Sequence, residues 1–419
     1  MAENYELDLE NDGLSLHTLS LPMGEGAKIK RGRGFFTLRR RPSDFVVEER
    51  TYEPGEADPE IATHTYMTIT KQRLTTTFAC GLVREVVEEL LGGTEGPKGR
   101  VGYAGLKDRL ARTTQGITVP GVVEEDPEIL NRRLKAKVEE RLGGPQDGYG
   151  GLLEINEMYP TRRELKPGDH AGNYFFIKVT GIDPGIGEYL GRAGGHAMIP
   201  PTHVPYFDTQ RVNWLNLVLG EYLRLGEIEG RPEQAIAYIT GEHARMREAH
   251  SDIPDTYDIP RICAAILAGQ RGGKDPGQIF SESLQPVEPK ARRMCMNSLT
   301  SRDWNDAAVG RVLELAHDPL SLNYAELGSL AFARADGELD GYRVAVDTFP
   351  TRNRPERPPL DRPLSVAADE LDIRAKPIEQ WGGRYVAEFR FVLPPNCFGS
   401  MATKYAMAMA FDAVYGQGH

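Results

Sequence analysis

Cysteine is scarce, and none of the four, Cys80, Cys263, Cys295 and Cys397, forms a CxxC pair. That spacing argues against a zinc site and for reduced thiols in a cytoplasm. Long apolar runs are missing too. Ala264–Ala268 is among the longest, far short of the roughly 20 residues that a membrane span needs. The first ten residues are acidic and lack an apolar stretch, so no secretory signal is expected there. The nine histidines are scattered, with no HExxH and no Cys/His cluster to hold a metal. A phosphate-cradling loop fails because Ala268 stands where Gly is needed before Gly273-Lys274, and Asp275 follows. Gly24-Glu25-Gly26 has no preceding strand, which removes a dinucleotide fingerprint, and no GxSxG elbow occurs. Chemistry is left to carboxylates, amines and aromatics, with no metal and no cofactor.

Positive charge is also in deficit, with a net of -11 over 419 residues. Length alone suggests two or three domains. A hydrophobic share of 40% and a mean hydropathy of -0.44 fit a soluble globular chain. The charge is unevenly spread. Lys28 to Arg50 hold eight bases against three acids, and Lys98 to Gln115 hold five bases against Asp108 alone. The first twelve residues carry five acids and no base. Local basic clusters are the feature that a nucleic-acid partner reads, so the acidic sum does not exclude RNA. It fits an adaptation for solubility or high salt.

Period-2 alternation over His64–Thr70 predicts a half-buried strand. Thr75–Leu91 read as a helix, with threonines at its start and Phe78, Leu82, Val83, Val86, Val87 and Leu90 as an apolar stripe; Gly92-Gly93 can end it. Val101–Ala104, Asn173–Val179 and Tyr385–Leu393 predict further strands, the last with Tyr385, Ala387, Phe389, Phe391 and Leu393 on one face. From Asn213 to Leu322 helical periodicity dominates, as in Trp214–Leu225 and Trp304–Ala316, and strand-forming sequence returns near Tyr342. Pro-rich Ile199–Pro205 and Pro350–Pro363 are candidate junctions. Residues 1 to about 33 read as a partly ordered arm. The expected class is α/β in the α+β sense: a mixed-sheet domain from residues 1–205 and 350–419, carrying a largely helical α+β insertion at 206–349.

The most informative segment is Gly102-Tyr103-Ala104-Gly105-Leu106-Lys107-Asp108-Arg109, continuing to Thr113-Thr114-Gln115. It sets one carboxylate in a Gly-containing turn between two cations. Opposite charge favours the ionised form, and such a group suits attack on a nucleotide or removal of its proton. On spacing alone, a solvated turn with a capping Asp is the ordinary alternative.

This segment resembles the AGxKD and T-x-Q signature of the TruD family of tRNA pseudouridine synthases. Further matches follow in the family's order. Arg39, Pro42, Asp44-Phe45-Val46-Val47 and Glu49 resemble its N-terminal K/R-x-x-P-x-D-F-x-V-x-E motif. Leu165, Gly168 and Gly172-Asn173-Tyr174-Phe175 resemble L-[KR]-x-G-x-x-x-GNxF. Phe391-Val392-Leu393-Pro394 and Gly399-Ser400-Met401-Ala402-Thr403 are similar to the C-terminal F-x-LP…GS-[FY]-AT segment. Two departures stand out. Val204-Pro205-Tyr206-Phe207-Asp208-Thr209-Gln210-Arg211 lacks the glycines of the VPNYFGxQRFG-like stretch and sets Asp208 near Arg211, which bears on substrate choice. Pro394-Pro395-Asn396-Cys397-Phe398 is longer than the family's segment.

The resemblance implies a pseudouridine synthase catalytic domain with a TruD-type insertion, acting on tRNA or another structured RNA, with position 13 of tRNA as the target. It implies that Asp108 initiates a cofactor-free isomerisation, by attack on sugar or base or by sugar deprotonation, on a uridine taken out of its stack. Phe175 then becomes the candidate for stacking on the uracil, with a core strand residue as the alternative. Asn173 is a candidate hydrogen-bond partner or a turn former. Lys107 and Arg39 are candidates for neutralising Asp108 or holding phosphate. Phe45 and Glu49 are candidates for support, or for plain strand packing. Arg40, Arg41, Arg109 and Arg112 are phosphate candidates or solvated surface charges. The helical insertion would form one wall of a cleft gripping folded RNA. A non-catalytic binder of structured RNA on the same fold is the alternative, although a binder gains nothing from a carboxylate facing phosphates. A glycosidase-like enzyme would need a second catalytic carboxylate, and none has a matching context. A cytoplasmic monomer is the default.

Overall fold

The computed structural model describes residues 17–18, 37–38, 42–91, 99–142, 151–192, 199–208, 211–249, 258–324, 327–350, 356–379 and 382–415. The chain packs as two compact units, Met1–Pro201 with Val366–His419 and Thr202–Ser365. Arg39, Arg40 and Arg41, the Gly92-Gly93 stop and most of the N-terminal arm lie outside the described residues.

The first unit is built on a mixed sheet, in keeping with the α+β expectation. Its main strands and helices in chain order are β1 (Phe45–Thr51), β2 (His64–Gln72), α1 (Thr76–Leu90), β3 (Gly102–Tyr103), β4 (Arg112–Pro120), α2 (Pro127–Leu142), β5 (Leu152–Thr161), β6 (His170–Ile182), α3 (Pro184–Gly191), β7 (Asp369–Ile378), β8 (Arg384–Leu393) and α4 (Gly399–Tyr415). The spatial order is β7-β8-β6-β1-β4-β2-β5. Only β1 and β4 run parallel among these neighbours. Short β3 pairs with the far part of β4.

Side chains alternate across a strand, so register decides which residues share a face. One row crosses the sheet as Phe391, Phe175, Val47, Thr113, Lys71 and Leu153. At one end of this face, Met67, Ile69, Ile117, Val119, Leu153 and Ile155 pack against Leu82, Val83, Val86 and Val87 of α1 and Leu130, Leu134 and Val138 of α2. The i, i+4 spacing in α2 is the stripe that a one-sided helix requires. In α1 the stripe excludes Phe78, which is 38% exposed. Ala79 and Cys80 take up that part of the packed face instead. Thr75 caps α1 by accepting from the Phe78 N–H at 3.2 Å, a contact of about 1 kcal/mol.

At the other end, α4 lays its first residue on the aromatic row. A Cβ at Gly399 would stand 2.4 Å from the Phe175 ring, so only glycine fits. Helix α3 does the same at Gly187 against Tyr385. Both pairs of helices therefore cover the ends of one sheet face.

The second unit is mainly helical, with Trp214–Leu223, Pro232–Ala249, Asp258–Arg271, Pro276–Ser283 and Pro289–Leu315. Val218, Leu219, Tyr222, Ile239, Ile262, Ile266 and Phe280 are among the residues of its core. Two hairpins complete it, Leu320–Tyr324 with Gly328–Phe332 and Arg343–Val346 with Leu360–Pro363. The segment that departs from the family's pattern is internal here: Tyr206, Phe207 and Asp208 are all buried. Asn305 brackets Phe207, its side chain bonding both the N–H and the carbonyl at 2.9 Å.

Candidate active site

Between β3 and β4 the chain makes a turn from Ala104 to Leu110 that neighbouring segments hold at several points. Gly168 N–H donates to the Ala104 carbonyl at 2.8 Å. The Gln115 amide donates to the Gly105 carbonyl at 3.2 Å. Thr76, the first residue of α1, donates its hydroxyl to Gln115 at 3.0 Å and accepts from the Lys107 N–H at 2.9 Å. Backbone groups away from water need such partners, and here side chains of β4 and α1 supply them. The turn is thereby fixed to the same sheet face as Phe175.

Two lysines anchor it. The Lys107 ammonium meets the Glu49 carboxylate, with side-chain exposures of 5% and 0%. The other Glu49 oxygen accepts from the Thr51 hydroxyl at 2.8 Å. Burial pulls Lys107 below the usual lysine range even though Glu49 opposes the shift. Lys71, wholly buried at the end of β2, donates from Nζ to the Leu74 carbonyl at 2.9 Å and the Asp108 carbonyl at 2.7 Å. Burial pushes its pKa down to about 8, while the Asp108 charge acts in the opposite sense.

Asp108 itself is half-buried. Its Oδ1 accepts from the Leu110 N–H at 2.8 Å, which closes a local turn and fixes the carboxylate's direction. Leu106 and Arg109 beside it are exposed. The turn therefore has an inner side of buried cations and an outer side open to a large ligand. Gly105 sits close to the buried charges: a Cβ there would lie 3.3 Å from Lys107 Nζ, 3.5 Å from the His170 ring and 3.6 Å from the Glu49 carboxylate.

The sheet face beside the turn carries the other candidates. Phe175 is 5% exposed, edge-on to Phe45 with centroids 6.3 Å apart and tilted against Phe391 at 5.6 Å. Asn173 is two residues along and in register with Glu49. Its Oδ1 is buried with no hydrogen-bond partner among the described residues, as are Thr113 Oγ1 and His170 Nδ1. Buried polar atoms are normally satisfied, so three without a partner among the described residues set this neighbourhood apart. Burial, reinforced by the Lys107 charge, also lowers the His170 pKa.

The structure thus brings Asp108, Lys107, Glu49, Asn173, Phe175 and Phe45 into one neighbourhood. It does not place Arg112 there. Arg112 pairs with Val46 and precedes Thr113, so strand alternation turns it to the opposite sheet face, where it is exposed. Among the described residues, no group of three or more His, Cys, Asp or Glu side chains could hold a metal ion. No described helix is long and apolar enough to cross a membrane.

The family model for tRNA pseudouridine synthase D (TruD) matches residues 31–306, well over half of the chain. The chain belongs to the TruD family. It is accordingly an isomerase of the tRNA pseudouridine synthase class. A tRNA pseudouridine synthase D of Anaeromyxobacter dehalogenans is 37% identical over 324 residues, covering 74% of this chain and 82% of that protein. One from an Anaeromyxobacter species is 30% identical over 320 residues with the same coverage. The solved structure of a candidate TruD protein from Methanosarcina mazei aligns with a TM-score of 0.47 at 17% identity, over 88% of this chain and 93% of that one.

Motif reading singled out the TruD segments but passed over Lys71, Thr76 and His170. For Lys71 a signal existed. It continues the alternation Met67, Ile69, Lys71 on the face that is otherwise apolar. Thr76 reads as an ordinary helix start, and nothing in the sequence sets His170 apart from the other histidines.

Proposed function

We propose that this TruD-family enzyme converts one defined uridine of tRNA, at position 13, to pseudouridine, with Asp108 initiating the reaction and no cofactor. The carrying observation is the placement of Asp108. Its backbone is tied from below to Lys71 and its carboxylate is oriented by the Leu110 N–H. Its turn stands on the same sheet face as Phe175, Asn173 and Glu49. An ionised carboxylate beside buried cations can attack the sugar or the base, or take a sugar proton.

The target must leave its stack to reach this turn. The uracil would lie against the rim of the Phe45, Phe175 and Phe391 cluster, and the Asn173 and Thr113 oxygens are the nearest unsatisfied groups for its polar edge. Lys107 and Glu49 act as a fixed support rather than as groups that exchange protons, because each is the other's buried partner. Arg39, Arg40, Arg41 and Arg109 serve as phosphate contacts, whereas Arg112, on the opposite sheet face, is a solvated surface charge. The first unit carries the catalysis, and the second, Thr202–Ser365, grips the folded RNA. The enzyme works as a cytoplasmic monomer.

The test is incubation of unmodified tRNA transcripts with wild type and Asp108→Ala, with pseudouridine mapped at nucleotide resolution. Product at position 13 with wild type alone supports the whole reading. Product at another single position corrects the target and keeps the mechanism. RNA binding without product from either protein would favour the non-catalytic binder.

A further inference from the structure

Lys71 is the residue in this site that the family motifs do not mention and the geometry cannot ignore. Its side chain is 0% exposed, yet it carries an ammonium, which has three donors and no acceptor. Two of those donors go to neutral backbone carbonyls in separate segments, Leu74 before α1 and Asp108 in the turn. The first segment is itself constrained, since Arg73 beside it adopts a left-handed φ of 59°. Two carbonyls are poor compensation for burying a full charge. The carboxylate that opposes the burial is that of Asp108.

From this geometry we infer that Lys71 is the positioning residue for Asp108: its buried ammonium fixes the turn's backbone and, through it, the direction of the attacking carboxylate. The inference rests on the assignment of the chemistry to Asp108. It adds that the turn's backbone at Asp108 is held by Lys71, whereas the ammonium of Lys107 is paired with the Glu49 carboxylate. The dependence runs both ways. The Asp108 charge eases the burial of Lys71, and the Lys71 ammonium holds the Asp108 turn by its carbonyl. The titratable groups facing Lys71 are Asp108 and Lys107 from the turn and Cys80 from α1. Glu49 and His170 lie behind Lys107.

The experiment measures kcat and KM for pseudouridine formation on unmodified tRNA against pH, for wild type, Lys71→Met and Lys71→Arg, with Tm as the check on folding. Lys71→Met should lower kcat by roughly 10²-fold while KM for tRNA changes by less than about threefold. Wild-type kcat should fall as pH rises through about 8, where Lys71 loses its proton. That limb should vanish in Lys71→Met. In Lys71→Arg it should move beyond the accessible range with part of the rate restored, because a guanidinium does not titrate there. A limb that persists unchanged in Lys71→Met, or a loss of rate that only tracks a loss of Tm, would overturn the inference.

If Lys71→Met does not fold, lysine-selective 13C NMR decides. Lys71 should titrate below the other lysines in wild type, and lower still in Asp108→Asn, where its counter-charge is gone. A Lys71 titration indifferent to Asp108→Asn refutes the coupling, whatever the catalytic outcome. Activity retained in Asp108→Ala would instead defeat the assignment of Asp108 and leave the measured coupling standing.

Discussion

Both units of this protein bury cations, and they do so by different means. In the second unit the Arg362 guanidinium lies over the Phe207 ring at 4.1 Å and the Trp304 ring at 4.7 Å. Trp304 is wholly buried, its indole N–H donating to the Val344 carbonyl at 3.0 Å. Aromatic faces suit a cation that never loses its proton and is weakly hydrated. In the first unit Lys71 and Lys107, buried beside the Asp108 turn, are held by carbonyls and by a carboxylate. Lysine titrates, and Lys71 is already pushed down to about 8. The contrast separates a cation used to fill and orient a core from cations placed to act on a neighbouring charge.

Substitutions can break this contrast at graded strength. The largest effect belongs to Asp108→Ala, which removes the carboxylate proposed to start the reaction. Single-turnover pseudouridine formation should drop by more than about 10⁴-fold, with tRNA affinity retained. Next is Lys107→Met. It strands the fully buried Glu49 carboxylate, and breaking a buried pair costs about 3–5 kcal/mol of stability. Denaturant unfolding should show it, and Glu49→Gln in the same chain should recover part of the loss. Gly399→Ala forces a methyl to 2.4 Å from the Phe175 ring. Overpacking of that kind costs about 1–3 kcal/mol, and kcat should fall with it because Phe175 must shift.

In the second unit, Arg362→Met should cost about 1–2 kcal/mol through lost stacking. It should leave the pH profile of kcat unchanged, which is what separates it from any change at Lys71. The smallest effect concerns His170. Burial and Lys107 lower its pKa, so the native state favours the neutral ring and the unfolded state binds the proton more readily. Its contribution to stability is therefore present above the ordinary histidine value and lost as pH falls below about 6.5. Tm measured against pH should show a shallow acid decline that His170→Gln lacks.

The two kinds of cation also differ in how far they could be read from the chain. Asp108, Lys107, Glu49, Asn173 and Phe175 stand in motifs whose spacing is local, and strand alternation puts those of β1 and β6 on one face. Strands His64–Gln72 and Arg384–Leu393 and helix α1 were legible from periodicity within a residue or two. Helix α2 was legible in principle from Leu130, Leu134 and Val138. Edge strand β7 was not, because of its residues Ile373 alone is deeply buried and Asp369, Glu370, Asp372, Arg374 and Lys376 interrupt any apolar alternation. Nor could the sequence show that Lys71 bonds Asp108, 37 positions away. That contact depends on β2 and β4 being neighbours, which register decides and local pattern does not. Likewise Arg362 reaches Phe207 and Trp304 only through the packing of three distant segments.

The most direct test of the central claim is the single-turnover rate of Asp108→Asn at enzyme concentrations that saturate an unmodified tRNA. Asparagine keeps the acceptor for the Leu110 N–H and removes only the charge. No pseudouridine over many wild-type half-lives, with the tRNA bound, is the result predicted for a carboxylate that starts the reaction. Product formed within tenfold of the wild-type rate would contradict it and move the chemistry away from this turn.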